Sequence, residues 1–452
     1  MQFIVPQIAL ILPFIVTSVL ADYVIVPGAS WTDTSGTVIQ GHGAGILTVG
    51  DEFYWFGEDK ADNSYLFSAV TCYKSTDLLS WERQNDALTP INGTMISTAD
   101  VVERPKVVYN KKNSEYVMWF HSDNADYSAA MVGVATSETP CGPYAYKASW
   151  KPLGADSRDM SIYQDDDENQ TAYLLYASDN NVDFKISVLD QNYYNVTALA
   201  SEIPNINLEA PGIVKKDSIY YLIASHTSGW APNPNKWFST TSLYSNWSTQ
   251  NDIAPEATNT YFSQNAYDFP LGPNAIYMGD RWRPDVLGSS TYIWLPLDWS
   301  TGVPQLVWAD VWSIDLAAGT YTVATGTTYQ AEDGVLGGGA EIFNNTAYSG
   351  GEAVGWLGEG GTVTLNNVQG NGQGQWVSLY YANGDSTWRN TTVSVNGGPT
   401  ILVDQPNTGG PLVILSVPVK LDLRLGSNSI TFAINQTTYA GDLDRIIVYN
   451  QG

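Results

Sequence analysis

The chain has 452 residues, and its 46 Asp and Glu outweigh 20 Lys and Arg to leave a net charge of −26. Nucleic acid backbones are held by clustered cations, so a nucleic acid partner is excluded, and the length exceeds one ordinary core and implies two domains. With 16 Trp and 28 Tyr against 15% charged residues, the composition suits contact with sugars, whose flat C–H faces and hydroxyl edges pack on aromatic rings flanked by carboxylates and amides.

Residues 1–21 form an apolar run with two prolines that ends in small residues before Asp22, the pattern of a secretory signal peptide. No later run is long and apolar enough to span a bilayer as a helix, so no membrane partner is expected. A secreted, extracellular protein agrees with glycosylation acceptors at Asn92, Asn169, Asn195, Asn246, Asn344, Asn390 and Asn435. Cys72 and Cys141 are available for one disulfide in an oxidising compartment.

From residue 22 to 316 helical periodicity is almost absent, and an aromatic-rich strand running into a polar cluster recurs: EFYWFGEDK (52–60), EYVMWFHSD (115–123), TAYLLYASD (171–179), IYYLIASHT (219–227) and TYIWLPLDW (291–299). Repeats built only of strands bury their faces by radial stacking, so these residues are expected to form a five-bladed β-propeller. A tandem of sandwiches explains the strands but not the polar tip at the same place in each repeat. In a propeller those tips converge, which gathers Glu58, Asp123, Asp179 and His226 around one funnel.

Within this region Glu209 stands between Leu208 and Ala210-Pro211, where desolvation raises the pKa of a carboxyl and suits it to donate a proton. Glu103 in ADVVERPKVVYN and Asp159 in DSRDMSIYQDDDEN have a similar context ahead of a strand. A structural acid bonded to backbone amides is the competing reading for Glu209, and a surface position for Glu103 and Asp159.

The repeats, together with SRDMSIYQDDD, EAPGIVKK and YKSTDLLSW, resemble glycoside hydrolase family 43, five-bladed propellers that act with inversion. With HGAGI (42–46), ERPKV (103–107) and YMGDRWRPD (277–285), the chain looks like the exo-β-1,3-galactanases, which release galactose from the backbone of arabinogalactan. The resemblance implies Glu209 as general acid and Asp159 as the group that tunes it. It departs from the family in the first blade, where IQGHGAGIL lacks the usual catalytic-base Asp, and Asp33 in the turn WTDTSG is a poor substitute. Our expectation gives the water to Gln264 in TYFSQNAYDF, an amide that accepts a proton through nitrogen when held as its imidic tautomer, with Glu103 binding sugar hydroxyls or orienting that amide. Acid and base of an inverting pair are expected about 6.5–9.5 Å apart. Glu58, Tyr127, Asn180, Thr227 and Trp230 are expected to complete the sugar subsite. Rival readings are an arabinofuranosidase or xylosidase of the same fold, and a propeller that only binds galactan.

Residues 317–328, small and polar, read as a linker, and 329–452 as a β-sandwich of alternating strands. That segment resembles carbohydrate-binding module family 35. The resemblance implies structural Ca²⁺ on Gln330, Glu332 and Asp444, and a sugar site at Trp356, Gly384, Asp385, Arg389, Tyr439 and Asp442. No cofactor is expected in catalysis, and the protein is expected to act as a monomer.

Overall fold

The computed structural model describes residues 24–450, so the signal-peptide reading of residues 1–21 lies outside the described residues. Five four-stranded antiparallel sheets follow one another along the chain, starting from the strands His42–Val49, Asp100–Asn110, Met160–Gln164, Leu208–Lys216 and Gln264–Leu271. In each sheet the strands lie in sequence order, as tight antiparallel connections require. The first strands of neighbouring sheets touch in turn, and that of the fifth returns to that of the first, so the five first strands ring one axis.

Most of the aromatic wealth is core. Trp31, Trp55, Trp294 and Tyr292 meet at ring separations of 4.9–6.4 Å between the first and fifth sheets, and Trp81 packs edge-on against Trp55. Such pairs add about 0.5–1.5 kcal/mol beyond the area they bury. Sheet packing therefore absorbs most of the tryptophans that composition alone assigns to sugar. Cys72, in the third strand of the first sheet, is bonded to Cys141 of the second, with Cα atoms 5.6 Å apart.

Residues 317–328 are not a free linker. Thr320–Val323 pairs back on Trp312–Asp315, and Gly326–Gln330 pairs with Asp442–Tyr449, so backbone hydrogen bonds hold this stretch on both sides. Beyond it, a six-stranded and a five-stranded antiparallel sheet share one apolar core that includes Val377, Leu379 and Ile446 of the first and Val393, Ile430 and Phe432 of the second.

This C-terminal unit is fastened to the N-terminal sheets through Asp310. Its carboxylate, 6% exposed, accepts hydrogen bonds from Tyr380 Oη (2.6 Å), Tyr449 Oη (2.7 Å) and Ser416 Oγ of the C-terminal unit, and from Trp308 Nε1 (3.1 Å). Asp310→Ala leaves these buried donors without an acceptor. We expect a loss of about 3 kcal/mol, with one calorimetric unfolding transition separating into two; a single unshifted transition would show that Asp310 does not couple the units.

Candidate active site

At the axis the first strands of the first, second and fourth sheets break register at the same place: between His42 and Gly45, Glu103 and Lys106, and Glu209 and Gly212. In each, the residue after the functional side chain takes a positive φ: Gly43 at 60°, Arg104 at 52° and Ala210 at 54°. A bulge of this kind turns one side chain out of the pleat without ending the strand. The repeated Glu-x-Pro, at 103–105 and 209–211, is the sequence form of the device. Gly43 has a second reason to be glycine, because a Cβ there would run into Glu58 Oε1.

The bulges and the ends of neighbouring strands enclose a cavity of about 250 Å³ lined by Glu58, Glu103, Arg104, Asp159, Glu209 and Gln264, with Tyr127, Trp230 and Trp282 around it. Arg104 ties it together. Its Nε pairs with Asp159 Oδ2 at 2.7 Å, its Nη2 donates to Gln264 Oε1 at 2.8 Å, and its backbone N–H donates to Glu58 Oε1 at 2.9 Å. Lys60 pairs with the other Glu58 oxygen at 2.9 Å.

Burial pushes the Glu209 carboxyl up to about 8, with the Asp159 charge adding to the rise and Arg104 opposing it. Glu209 therefore keeps its proton at neutral pH. Glu103 is the opposite case. Burial acts to raise it, but the hydrogen bond and charge of His121 leave it below the ordinary carboxylate range. His121 lies between Glu103 Oε2 (3.1 Å from Nδ1) and Asp123 Oδ2 (2.9 Å from Nε2). Although burial alone would lower its pKa, these hydrogen bonds push it up to about 9, so both nitrogens donate from an imidazolium. Donor atoms of Glu103, His121 and Asp159 lie within 4.8 Å of one another, but a doubly protonated ring has no lone pair for a metal.

Gln264 uses its whole amide. Nε2 donates to Glu209 Oε1 (2.8 Å) and Ser225 Oγ (3.1 Å), and Oε1 accepts from Arg104 and from Trp282 Nε1 (3.0 Å). Three expectations change as a result. Gln264 and Glu209 are hydrogen-bonded neighbours, not 6.5–9.5 Å apart, because adjacent first strands aim both at the axis. The amide oxygen meets two donors, Arg104 and Trp282, which is the pattern a carbonyl oxygen takes. Arg104 and Trp282 orient it, while Glu103 is engaged by His121 and by Tyr127 Oη at 2.8 Å.

Of the expected subsite, Glu58, Tyr127 and Trp230 line the cavity, whereas Asn180 and Thr227 are exposed and Asn181 and Gly229 face it instead. Asp179 turns outward to Lys185, His226 bonds the Asn207 carbonyl and Gln250, and Asp123 lies behind His121, so of the four funnel residues only Glu58 reaches the lining. Asp33 is spent in its own turn, accepting from the backbone of Ser35 and Thr37. Arg104, His121 and Trp282 escaped the sequence reading. The positive φ after Glu103 is what swings Arg104 inward, and only the repetition of Glu-x-Pro hinted at it.

In the C-terminal unit Trp356, Gly384, Asp385, Arg389, Tyr439 and Asp442 surround one cavity of about 540 Å³. Trp356 is 51% exposed and meets Tyr439 edge-on at 5.4 Å. Nearby, Ser349 N donates to Asp444 Oδ1 (2.7 Å), and the buried oxygens Gln330 Oε1 and Glu332 Oε2 have no hydrogen-bond partner. Six of the seven glycosylation acceptors are exposed, and Asn390 is half-buried in the strand Arg389–Val395.

Comparison with known proteins gives a concordant picture. Residues 39–264 match the family described as glycosyl hydrolases family 43. An exo-β-1,3-galactanase from Phanerochaete chrysosporium is 69% identical, with a TM-score of 0.93 over 94% of this chain and 100% of that one; its crystal structures include a galactose complex and β-1,3-galactotriose complexes of two variants lacking a glutamate. A putative exo-β-1,3-galactanase from Bifidobacterium bifidum is 32% identical (TM-score 0.59, 64% of this chain and 97% of that one). An exo-β-1,3-galactanase from Clostridium thermocellum is 26% identical (TM-score 0.65, 95% of this chain and 100% of that one). No curated protein sequence matches the chain.

The electrostatics of the cavity can be read directly by carboxyl ¹³C NMR. Asp159→Asn removes a negative charge beside Glu209 and frees Arg104 to attract it, so both effects stabilise the Glu209 anion. The Glu209 titration is expected to move down from about 8, whereas an unchanged midpoint would mean that burial alone sets it.

Proposed function

The chain belongs to glycosyl hydrolase family 43, and from that premise we propose that it is an inverting exo-β-1,3-galactanase releasing galactose from the β-1,3-galactan backbone of arabinogalactan. It is a glycoside hydrolase. The substrate follows from the likeness to the Phanerochaete chrysosporium enzyme and its galactotriose and galactose complexes. The observation that carries the chemistry is the protonated, buried Glu209 hydrogen-bonded to an amide whose oxygen is held by two donors.

Glu209 gives its proton to the glycosidic oxygen as the bond to the anomeric carbon breaks, and water attacks that carbon from the opposite face. Donors on Gln264 Oε1 draw charge to the oxygen and raise the acidity of the amide N–H. With the sugar bound, the 2.8 Å contact opens, Gln264 orients the attacking water on the far face, and the proton that water loses passes to solvent while Glu209 regains one from it. The balance closes: water supplies hydroxyl to the sugar, one proton leaves with the shortened polymer, and Glu209 and Gln264 return to their starting forms. Glu103, held by His121 and Tyr127, and Glu58, held by Lys60, accept hydrogen bonds from sugar hydroxyls. Trp230 offers a stacking face.

The wider architecture is proposed to match. The five sheets are read as propeller blades around the axial cavity, and the C-terminal unit as a sandwich resembling carbohydrate-binding module family 35 that keeps the enzyme on polymer. The unpartnered oxygens of Gln330 and Glu332 beside Asp444 suit a hard, oxygen-seeking cation such as Ca²⁺ in a structural role. The protein is proposed to be secreted, glycosylated and monomeric.

Product configuration followed by ¹H NMR on linear β-1,3-galactan tests the reading. The wild type is expected to release inverted galactose and Glu209→Gln to lose about 10²-fold or more in kcat. Glu103→Gln retaining most turnover supports Gln264 as the group that handles the water; Gln264→Ala retaining it overturns that assignment. Binding without turnover in the wild type would make this chain a galactan-binding protein.

Because the acid must be protonated, kcat should fall as pH rises through about 8, with a fall near the ordinary carboxyl value contradicting the role of Glu209. For the metal, EDTA is expected to lower the unfolding temperature of the C-terminal unit. Ca²⁺ at a hundredfold excess over its Kd would restore about 3 kcal/mol, and no shift in either direction would exclude a structural ion.

A further inference from the structure

A second cavity adjoins the catalytic one. It measures about 430 Å³ and lies between the N-terminal sheets and the C-terminal unit. Trp230 and Trp282 line both cavities, and from the C-terminal side Trp388 and Asn407 complete the wall of the second. Phe262 and Arg283 lie between these groups.

The wall is built, not incidental. Trp230 stands edge-on to Trp282 at 5.0 Å, and Trp282 is fixed by its hydrogen bond to Gln264. Trp388 meets Phe262 edge-on at 5.7 Å, and the Arg283 guanidinium lies 5.2 Å from its ring centre. Arg283 is itself pinned to Asp404 of the C-terminal unit by an ion pair. The loop carrying Trp388 is tied down from its other side, where Arg389 pairs with Asp385 at 2.6 Å and donates to the Ala440 carbonyl at 2.8 Å. Both ends of the groove thus carry aromatic rings whose orientations are fixed before any ligand arrives, which limits the entropy lost on binding.

We propose that this groove holds the reducing-side continuation of the β-1,3-galactan chain, with Trp388 of the C-terminal unit serving as a distal sugar platform for substrate cut at Glu209. The inference rests on the galactanase reading above and deepens it. An exo-acting hydrolase encloses one terminal sugar, so the rest of the polymer must leave the cavity past its wall. Trp230 and Trp282 form one part of that wall, and an aromatic groove begins on their far side. Rings at both ends, with amide edges such as Asn407 between, match a strand of sugars, which offers apolar faces and hydroxyl rims in alternation. On this view the C-terminal unit does more than tether the enzyme, because one of its residues sets which chain lengths are preferred.

The test uses the full chain carrying Glu209→Gln, so that ligand persists, and compares Kd for linear β-1,3-galactobiose and β-1,3-galactohexaose by calorimetric titration. The hexaose is expected to bind more tightly than the biose, and Trp388→Ala to cut that advantage about five-fold or more. Trp388→Phe, which keeps a ring against Phe262, should retain most of the advantage and covers the case in which the alanine variant fails to fold. In the Glu209→Gln chain with Trp388 intact, the hexaose should quench tryptophan emission more than the biose does, a difference that Trp388→Phe removes. An advantage unaffected by Trp388→Ala, an equal loss for both lengths, a quenching difference that survives Trp388→Phe, or an effect seen only with branched oligosaccharides would overturn the proposal. Galactose release by the unmutated chain is measured in parallel. Its absence alongside a length effect that depends on Trp388 would refute the hydrolytic reading and uphold the groove.

Discussion

The Arg104 guanidinium is 5% exposed at the point where the first strands converge, and a buried cation persists only where hydrogen bonds and opposite charge surround it. Asp159, from the third sheet, supplies the charge; Gln264 and the Asn265 carbonyl, from the fifth, accept from its two terminal nitrogens. Its own backbone amide goes to Glu58 of the first sheet. Burial is the largest single effect and opposes its charge, but Asp159, Glu58 and Glu209 together hold its pKa above the ordinary arginine value. One residue thereby binds three other sheets to the second. The Glu209 proton and the Gln264 orientation both follow from where its positive charge is spent: Asp159 takes the nearest share, so Glu209 is left to its burial and to the Asp159 charge beside it.

Electrostatic division of labour extends around the cavity. Glu58 and Glu103 are both buried, yet each has a dedicated cation, Lys60 or His121, within hydrogen-bond reach. Glu209 has an amide neighbour instead and keeps a proton near neutrality; burial raises Glu58 as well, against the pull of Lys60, while His121 holds Glu103 low. Carboxyls of the same intrinsic acidity thus take different forms within one cavity, which is how a site separates the group that donates a proton from those that bind hydroxyls.

Much of this was legible in the sequence, and its limits are physical. Strand-length repeats with polar tips gave away five consecutive sheets, since alternation and turn residues are local signals. Glu209 was legible because its neighbours are apolar and Pro211 follows. Asn180 and Thr227 are exposed outside the axial lining, where Asn181 and Gly229 stand instead, because a turn's φ values decide which side chain faces inward, and Asn180 and Asn181 both take positive φ. Arg104 and His121 were missed because their importance lies in partners on other sheets, which no local pattern encodes. The stretch 317–328 looked like a linker by composition, but strand pairing with Trp312–Asp315 and Asp442–Tyr449 overrides composition there.

The account turns on where protons sit when the cavity is at rest, and neutron diffraction from a deuterium-exchanged crystal below the Glu209 pKa observes them. It predicts deuterium on the Glu209 carboxyl, two deuterons on Gln264 Nε2 directed at Glu209 and Ser225, and deuterium on both nitrogens of His121. An ionised Glu209, or a Gln264 whose oxygen rather than nitrogen faces it, would contradict the account at its centre.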